Sequence, residues 1–328
     1  MNEIDRHALA TTAGVLGAVV GAFYMHLDNP YWAALSALII ANVDRTALFT
    51  KGLLRIAGTG AGIVGGYYVA LALEGIPIAQ FAALTLAAGF GTYLRQRTVF
   101  AYAWFYGALS FMLLIACSMT TPEQLYTFAH YRCYEIVLGV GAATLANWAL
   151  GPRAGELPTG LARAPIVLPV EDAIRESIAA AVGTGIIALA WTLFELPSFT
   201  QVIISSLVII DRDLATTSER ARQRILGCVI GGAAALAVIG INADNFVWWF
   251  ASLATGTFLS ARVHLSKVSY AYVGTQSAIA LLVTLVETGP PTGIEAPFNR
   301  LVGIMIGVAI MELTIWMLAP RQQREAAA

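Results

Sequence analysis

Arg132 and Arg300 stand 168 residues apart, each at the head of an apolar run. A guanidinium offers five N–H donors in a planar fork, so it can bind both oxygens of a carboxylate while its face stacks on an aromatic ring. Around Arg132 the stretch "YTFAHYRCYE" supplies Tyr126, Phe128, Tyr131 and Tyr134, whereas Arg300 has only Phe298 nearby. One reading makes the two arginines a carboxylate-binding pair flanked by aromatic rings. The other has each arginine reach toward water and pair locally, Arg132 with Glu135 and Arg300 with Glu295.

A second basic group lies in "NVDRTALFTKGLLRIAGTGAG", residues 42–62, and it recurs in "DRDLATTSERARQRILGCVIG", residues 211–231. A shift of 169 residues lays Asp44 on Asp213, Lys51 on Arg220, Arg55 on Arg224, Gly58 on Gly227 and Gly62 on Gly231. These clusters fit an entrance that concentrates anionic substrate. They equally fit loop charges, with the arginines anchoring the next helix at the lipid headgroups. Glu312 is the remaining unusual residue, midway along an apolar run where its repeat counterpart is Thr144. A carboxyl at such a depth is a candidate for proton coupling. Its bland alternative is a carboxylic acid satisfied by a neighbouring hydroxyl or by Gln276.

Other chemistry dissolves on inspection. "GAGIVG" at Gly60 to Gly65 fits the dinucleotide fingerprint letter for letter, but the fingerprint needs a strand before it and a soluble helix after it. Here Gly58, Gly62 and Gly66 instead make a small-residue packing face on an apolar helix. His7, His26, His130 and His264 show no zinc-type spacing, and no nucleophile elbow or P-loop is present. Cys117, Cys133 and Cys228 lack metal-ligand spacing and read as buried free thiols; only Cys117 and Cys133 flank one loop closely enough to pair. No metal, no cofactor and no enzymatic activity is expected.

The elements that must hold these residues follow from composition. Hydrophobic residues make up 58% of the 328 and charged ones 12%, and the mean hydropathy is +0.72, which places the chain in a lipid bilayer. A net charge of -1 gives no reason to expect nucleic acid. A span needs about 20 apolar residues, and the pattern predicts twelve. They lie near 7–27, 31–42, 54–73, 76–94, 100–118 and 131–150, then 174–194, 199–210, 225–241, 246–259, 270–286 and 298–318. The acidic residues at the amino terminus, with no small-residue cleavage site, make the first of these a span rather than a removed signal peptide.

The two series repeat. Arg132, Gly139, Val140, Trp148, Leu150, Pro152 and Arg153 recur as Arg300, Gly307, Val308, Trp316, Leu318, Pro320 and Arg321. The expected organisation is therefore an all-α polytopic membrane protein of two six-helix repeats, 1–150 and 171–320, joined by a proline-rich linker at 151–170 and followed by a tail at 321–328. An even number of spans per repeat makes the repeats parallel, related by an axis along the membrane normal. With alternating loops, all but two of the 19 Lys and Arg residues fall on one side. The positive-inside rule makes that side the cytoplasm and puts both termini there. The two exceptions are Arg132 and Arg300.

"YWAALSALII" followed by "LFTKGLLRIAGTGAGIVGG" resembles the signature of the fusaric acid resistance and aromatic acid exporter family, and more distantly the aluminium-activated malate channels of plants. The likeness covers both repeats. It implies a bacterial inner-membrane protein that exports organic acids, often aromatic carboxylates, as a homodimer or with a periplasmic adaptor protein. Larger members of the family carry a cytoplasmic domain, which is not expected here. The expected activity is transport of small organic anions through the bilayer, with an organic-anion channel or a membrane subunit of a larger efflux assembly as the alternatives.

Overall fold

The computed structural model describes residues 2–41, 45–151, 167–196, 198–211, 214–241, 245–266, 268–287 and 294–319. Twelve α-helices and one 3-10 turn run through these residues, and among them there is no strand. The first half holds α1 (Glu3–Tyr24), α2 (Tyr31–Ile40), α3 (Arg45–Ala72), α4 (Pro77–Arg97), α5 (Ala101–Thr120) and α6 (Leu125–Leu150). The second holds α7 (Val170–Phe194), α8 (Phe199–Val208), α9 (Leu214–Gly240), α10 (Phe246–Leu265), α11 (Ala271–Leu285) and α12 (Glu295–Leu318). Most of the 151–170 linker and all of the 321–328 tail lie outside the described residues.

Among the described residues, seven helical stretches are long and apolar enough to cross a bilayer. With six helices per half in the same order, the chain is a multi-pass membrane protein built of two repeats. The second helix of each repeat is short. α2 and α8 have 10 residues each, about 15 Å at 1.5 Å per residue and half of a hydrocarbon core of roughly 30 Å. Pro30 stands at the start of α2, and the chain turns extended at Ala41. Every residue of α2 but Ile39 is buried, as expected of a helix that is apolar all round.

Charge misplaces three helix starts in the sequence pattern. α3 begins at Arg45 and α9 at Leu214, nine and eleven residues before the apolar runs that announce them. The loop expected around Lys51, Arg55, Arg220 and Arg224 is therefore helix. Arg55 shows the reason: with only 1% of its surface exposed, it belongs to the packed interior although a hydropathy window treats it as surface. α6 likewise starts at Leu125, so Arg132 lies two turns inside the helix rather than at its end.

The chain packs as two compact units, and neither is a sequence half. One gathers α1, α2, the start of α3 to Ile56, α6 from Tyr131, α9 from Gln223, α10, α11 and the start of α12 to Leu301. In it α1 packs along α2 and α10, and α11 along α10 and α2. The other gathers the rest of α3, α4, α5, α7, α8, the start of α9 and the rest of α12. In it α4 packs along α7 and α5, and α8 along α7 and α5. Each helix pair of one unit thus has its repeat counterpart in the other, with first-repeat and second-repeat helices exchanged.

The small-residue face on α3 sits at its closest crossing. A Cβ on Gly62 would run into the carbonyl of Gly107 on α5, and one on Gly231 into that of Ser277 on α11. Only glycine lets these helix backbones approach so closely.

Candidate functional site

Of the residues that could bind an anion, Arg132, Arg300 and Arg55 all contact the short helix α2. At its start are Tyr31 and Trp32, buried to 7% and 4% exposure, with ring centroids 5.0 Å apart. The Arg132 guanidinium carbon lies 3.6 Å from the centre of the Trp32 ring, and that of Arg300 lies 5.6 Å from the centre of the Tyr31 ring. Two cations thus flank a pair of neighbouring aromatic faces inside one compact unit. A desolvated cation over an aromatic face is worth about 2 kcal/mol.

Each arginine also has an acidic neighbour. Arg132 Nη1 is 3.8 Å from Glu135 Oε2 one turn along α6, while Glu135 Oε1 accepts the Asn29 backbone N–H at 3.2 Å. Arg300 Nη1 donates to Glu287 Oε1 and to the Val283 carbonyl, both at 2.9 Å. The acid on Arg300 is thus Glu287, beyond the end of α11, and not the nearby Glu295 expected as its local partner. Arg132, Arg300, Glu135 and Glu287 all lie within electrostatic range of Tyr31. Tyr131 is half-buried on the same turn as Arg132, and Tyr134 is 45% exposed. Sequence spacing around Arg132 points to those two tyrosines and misses Tyr31 and Trp32, which come from a different helix. The signal was present in the leading "YW" of the α2 motif.

The remaining candidates are the basic residues along α3 and α9. Arg55 and Arg224 are 1% and 2% exposed, so neither reaches out to headgroups. Arg55 Nη2 donates to Ser36 Oγ at 3.3 Å, midway along α2. Arg224 Nη1 donates to the side-chain carbonyl of Gln276 on α11. Gln276, weighed from the sequence as a partner for Glu312, therefore serves an arginine. Lys51 is half-buried on α3. Arg220 pairs with Asp211 at 2.9 Å. Asp44 and Asp213, the acids expected in these clusters, lie outside the described residues. Glu312 is half-buried on α12.

Other basic residues cap helices. Arg45 Nη2 donates to the carbonyls of Asn147 at 3.3 Å, Trp148 at 3.0 Å and Gly151 at 3.1 Å, and Arg6 Nε to that of Leu150 at 3.0 Å. They satisfy the orphan carbonyls at the end of α6 and complement its dipole. The other compact unit holds an apolar cavity of about 510 Å³ between α3, α4 and α5, lined by Phe90, Trp104 and Phe111 among small residues. No charged side chain lines it. Cys117 and Cys228 are buried free thiols as expected, whereas Cys133, also free, is exposed. Among the described residues no group of His, Cys, Asp and Glu could hold a metal.

An all-helical chain with several helices of bilayer-spanning length and apolarity defines a multi-pass membrane protein. The chain belongs to the fusaric acid resistance protein family. The model of that family matches residues 6–159, and a second, described as fusaric acid resistance protein-like, matches residues 173–313. Among curated proteins it is similar to the p-hydroxybenzoic acid efflux pump subunit AaeB of Salmonella arizonae and of Salmonella paratyphi B. Each is 28% identical over 163 residues, which cover 46% of this chain and 25% of the relative. The aligned stretch thus spans about a quarter of the length of those relatives. No solved structure is significantly similar to the chain.

Proposed function

We propose that the chain is a bacterial inner-membrane transporter that exports small organic anions, aromatic carboxylates first, with both termini in the cytoplasm. The observation that carries this reading is the placement of Arg132 over Trp32 and of Arg300 over Tyr31. A ring bearing a carboxylate matches that arrangement, because a guanidinium held over an aromatic face takes the carboxylate oxygens in an apolar, aromatic setting that suits the ring. In this orientation the two arginines lie toward the outer side, near the exit. Arg55 and Arg224 supply positive charge toward the cytoplasmic entrance, and Lys51, Arg220, Asp44 and Asp213 are the further candidates for that role. Glu312 is the candidate for proton coupling.

An inside-negative membrane already drives the anion outward by about 2.3 kcal/mol per charge per 100 mV. The relatives' description as a pump subunit favours a second reading, in which the chain is the membrane component of a larger assembly, as a homodimer or with a periplasmic adaptor protein. Flux from liposomes separates these readings. A transporter gives saturable efflux of aromatic carboxylates that exceeds that of aliphatic ones of equal charge; a channel gives flux that rises linearly with concentration. Absence of flux with every carboxylate, under a membrane potential and under a pH gradient, sinks transport by the chain alone and leaves the assembly subunit.

A further inference from the structure

Resting on the reading above, we infer that Glu135 is an internal competitor of the transported carboxylate: it engages Arg132 between turnovers and takes it back as substrate leaves. Arg132 and Glu135 are 2% and 1% exposed, so neither trades its partner for bulk water. Their 3.8 Å separation is long beside the roughly 2.7–2.9 Å of a charge-assisted hydrogen bond. Glu135 does not close that gap, because its other oxygen is tied to the Asn29 backbone N–H at 3.2 Å. An untethered carboxylate can meet the guanidinium edge at full hydrogen-bond distance and with both oxygens.

Trp32 adds an independent observation. Its indole Nε1 is buried and has no hydrogen-bond partner among the described residues, although Trp32 is 4% exposed. Such donors are ordinarily satisfied. That N–H belongs to the ring whose centre lies 3.6 Å from the Arg132 guanidinium carbon, and on this inference an anion at Arg132 accepts from it as well. Substrate therefore gains a donor that Glu135 does not use, and Glu135 supplies the carboxyl group that replaces substrate on Arg132. Binding stays weak enough for release. Glu135 is thus a positioning residue that acts through Arg132.

The direct test measures benzoate binding to the purified full chain by calorimetry, alongside efflux kinetics in liposomes. Glu135→Gln keeps an acceptor for Asn29 but removes the competing charge. It is expected to bind benzoate several-fold more tightly, with KM and kcat of efflux both falling, and Glu135→Asp is expected to restore both toward wild type. Loss of a merely structural residue would instead leave affinity unchanged or weaken it, and that result overturns the inference. Trp32→Phe keeps the ring under Arg132 and deletes the N–H, so it is expected to weaken benzoate binding several-fold. Unchanged binding in Trp32→Phe overturns the inference even if Glu135→Gln does not fold. Wild-type chain that binds no benzoate and moves no carboxylate in liposomes would refute the proposed function itself.

Discussion

Arg55 is the residue whose place in the structure departs furthest from what its type predicts, since a guanidinium in a membrane protein ordinarily snorkels to the interface. Here it is buried against Ser36 on α2, and its repeat counterpart Arg224 is buried against Gln276. A headgroup anchor tolerates lysine, because the charge is all that matters; a buried planar fork does not. Arg55→Lys is therefore expected to leave abundance near normal while costing about 1–2 kcal/mol, a factor of roughly 5–30, in anion flux. Wild-type flux in that variant would return Arg55 to a structural role. Glu312 tests differently. Glu312→Gln removes its charge and keeps its shape, so export should lose its response to a pH gradient while export driven by membrane potential survives. Full gradient-driven transport in Glu312→Gln would remove that residue from the coupling proposal. Such roles are only partly legible in sequence. Repetition singles out Arg55, Arg132 and their counterparts, but it is silent on which rings and hydroxyls fold against them, because Ser36, Tyr31 and Trp32 arrive from another helix.

At the scale of elements, the order and number of helices can be read from hydropathy alone, including the short second helix of each repeat. Helix starts cannot, because Lys51, Arg55 and Arg132 depress the apolar signal over turns that are nonetheless helical. A pair of short helices at corresponding positions is also the feature that points to a binding region in repeat transporters, and α2 carries Tyr31, Trp32 and Ser36. Glycine spacing on α3 is equally legible, and the structure supplies its meaning. A Cβ on Gly62 would come within 2.9 Å of the Gly107 carbonyl carbon, whereas one on Gly60, two residues earlier, would meet nothing within 4 Å. Gly62→Ala should then destabilise by about 1–3 kcal/mol through overpacking. Gly60→Ala should stabilise by about 0.5–1 kcal/mol, as alanine replaces glycine inside a helix. Thermal unfolding in detergent checks the order: Gly60→Ala melts above wild type and Gly62→Ala below it. Equal melting temperatures would mean that the α3–α5 crossing relaxes freely.

The whole molecule interleaves its repeats. Because α1 packs on α10 and α4 on α7, each compact unit needs helices from both halves of the chain, although the family models match one half each. Cutting the chain in the 151–170 linker should give halves that are degraded when produced singly and accumulate when produced together. A stable, monodisperse first half on its own would contradict this packing. The interleaving also bears on transport, since Arg132 from the first repeat and Arg300 from the second meet the same Tyr31 and Trp32 pair. Neither repeat supplies that site alone. The most direct measurement is therefore efflux of an aromatic and an aliphatic carboxylate of equal charge from liposomes that hold wild-type chain or the Arg132→Lys, Arg300→Lys double variant. Lysine keeps both charges but loses the planar fork and its stacking on the rings. The expected result is a loss of about tenfold or more in aromatic-acid efflux, corresponding to at least about 1.4 kcal/mol, with aliphatic efflux much less affected and protein abundance unchanged. Near-normal aromatic efflux from the double variant would contradict the account and move the search for the substrate site to Arg55 and Arg224.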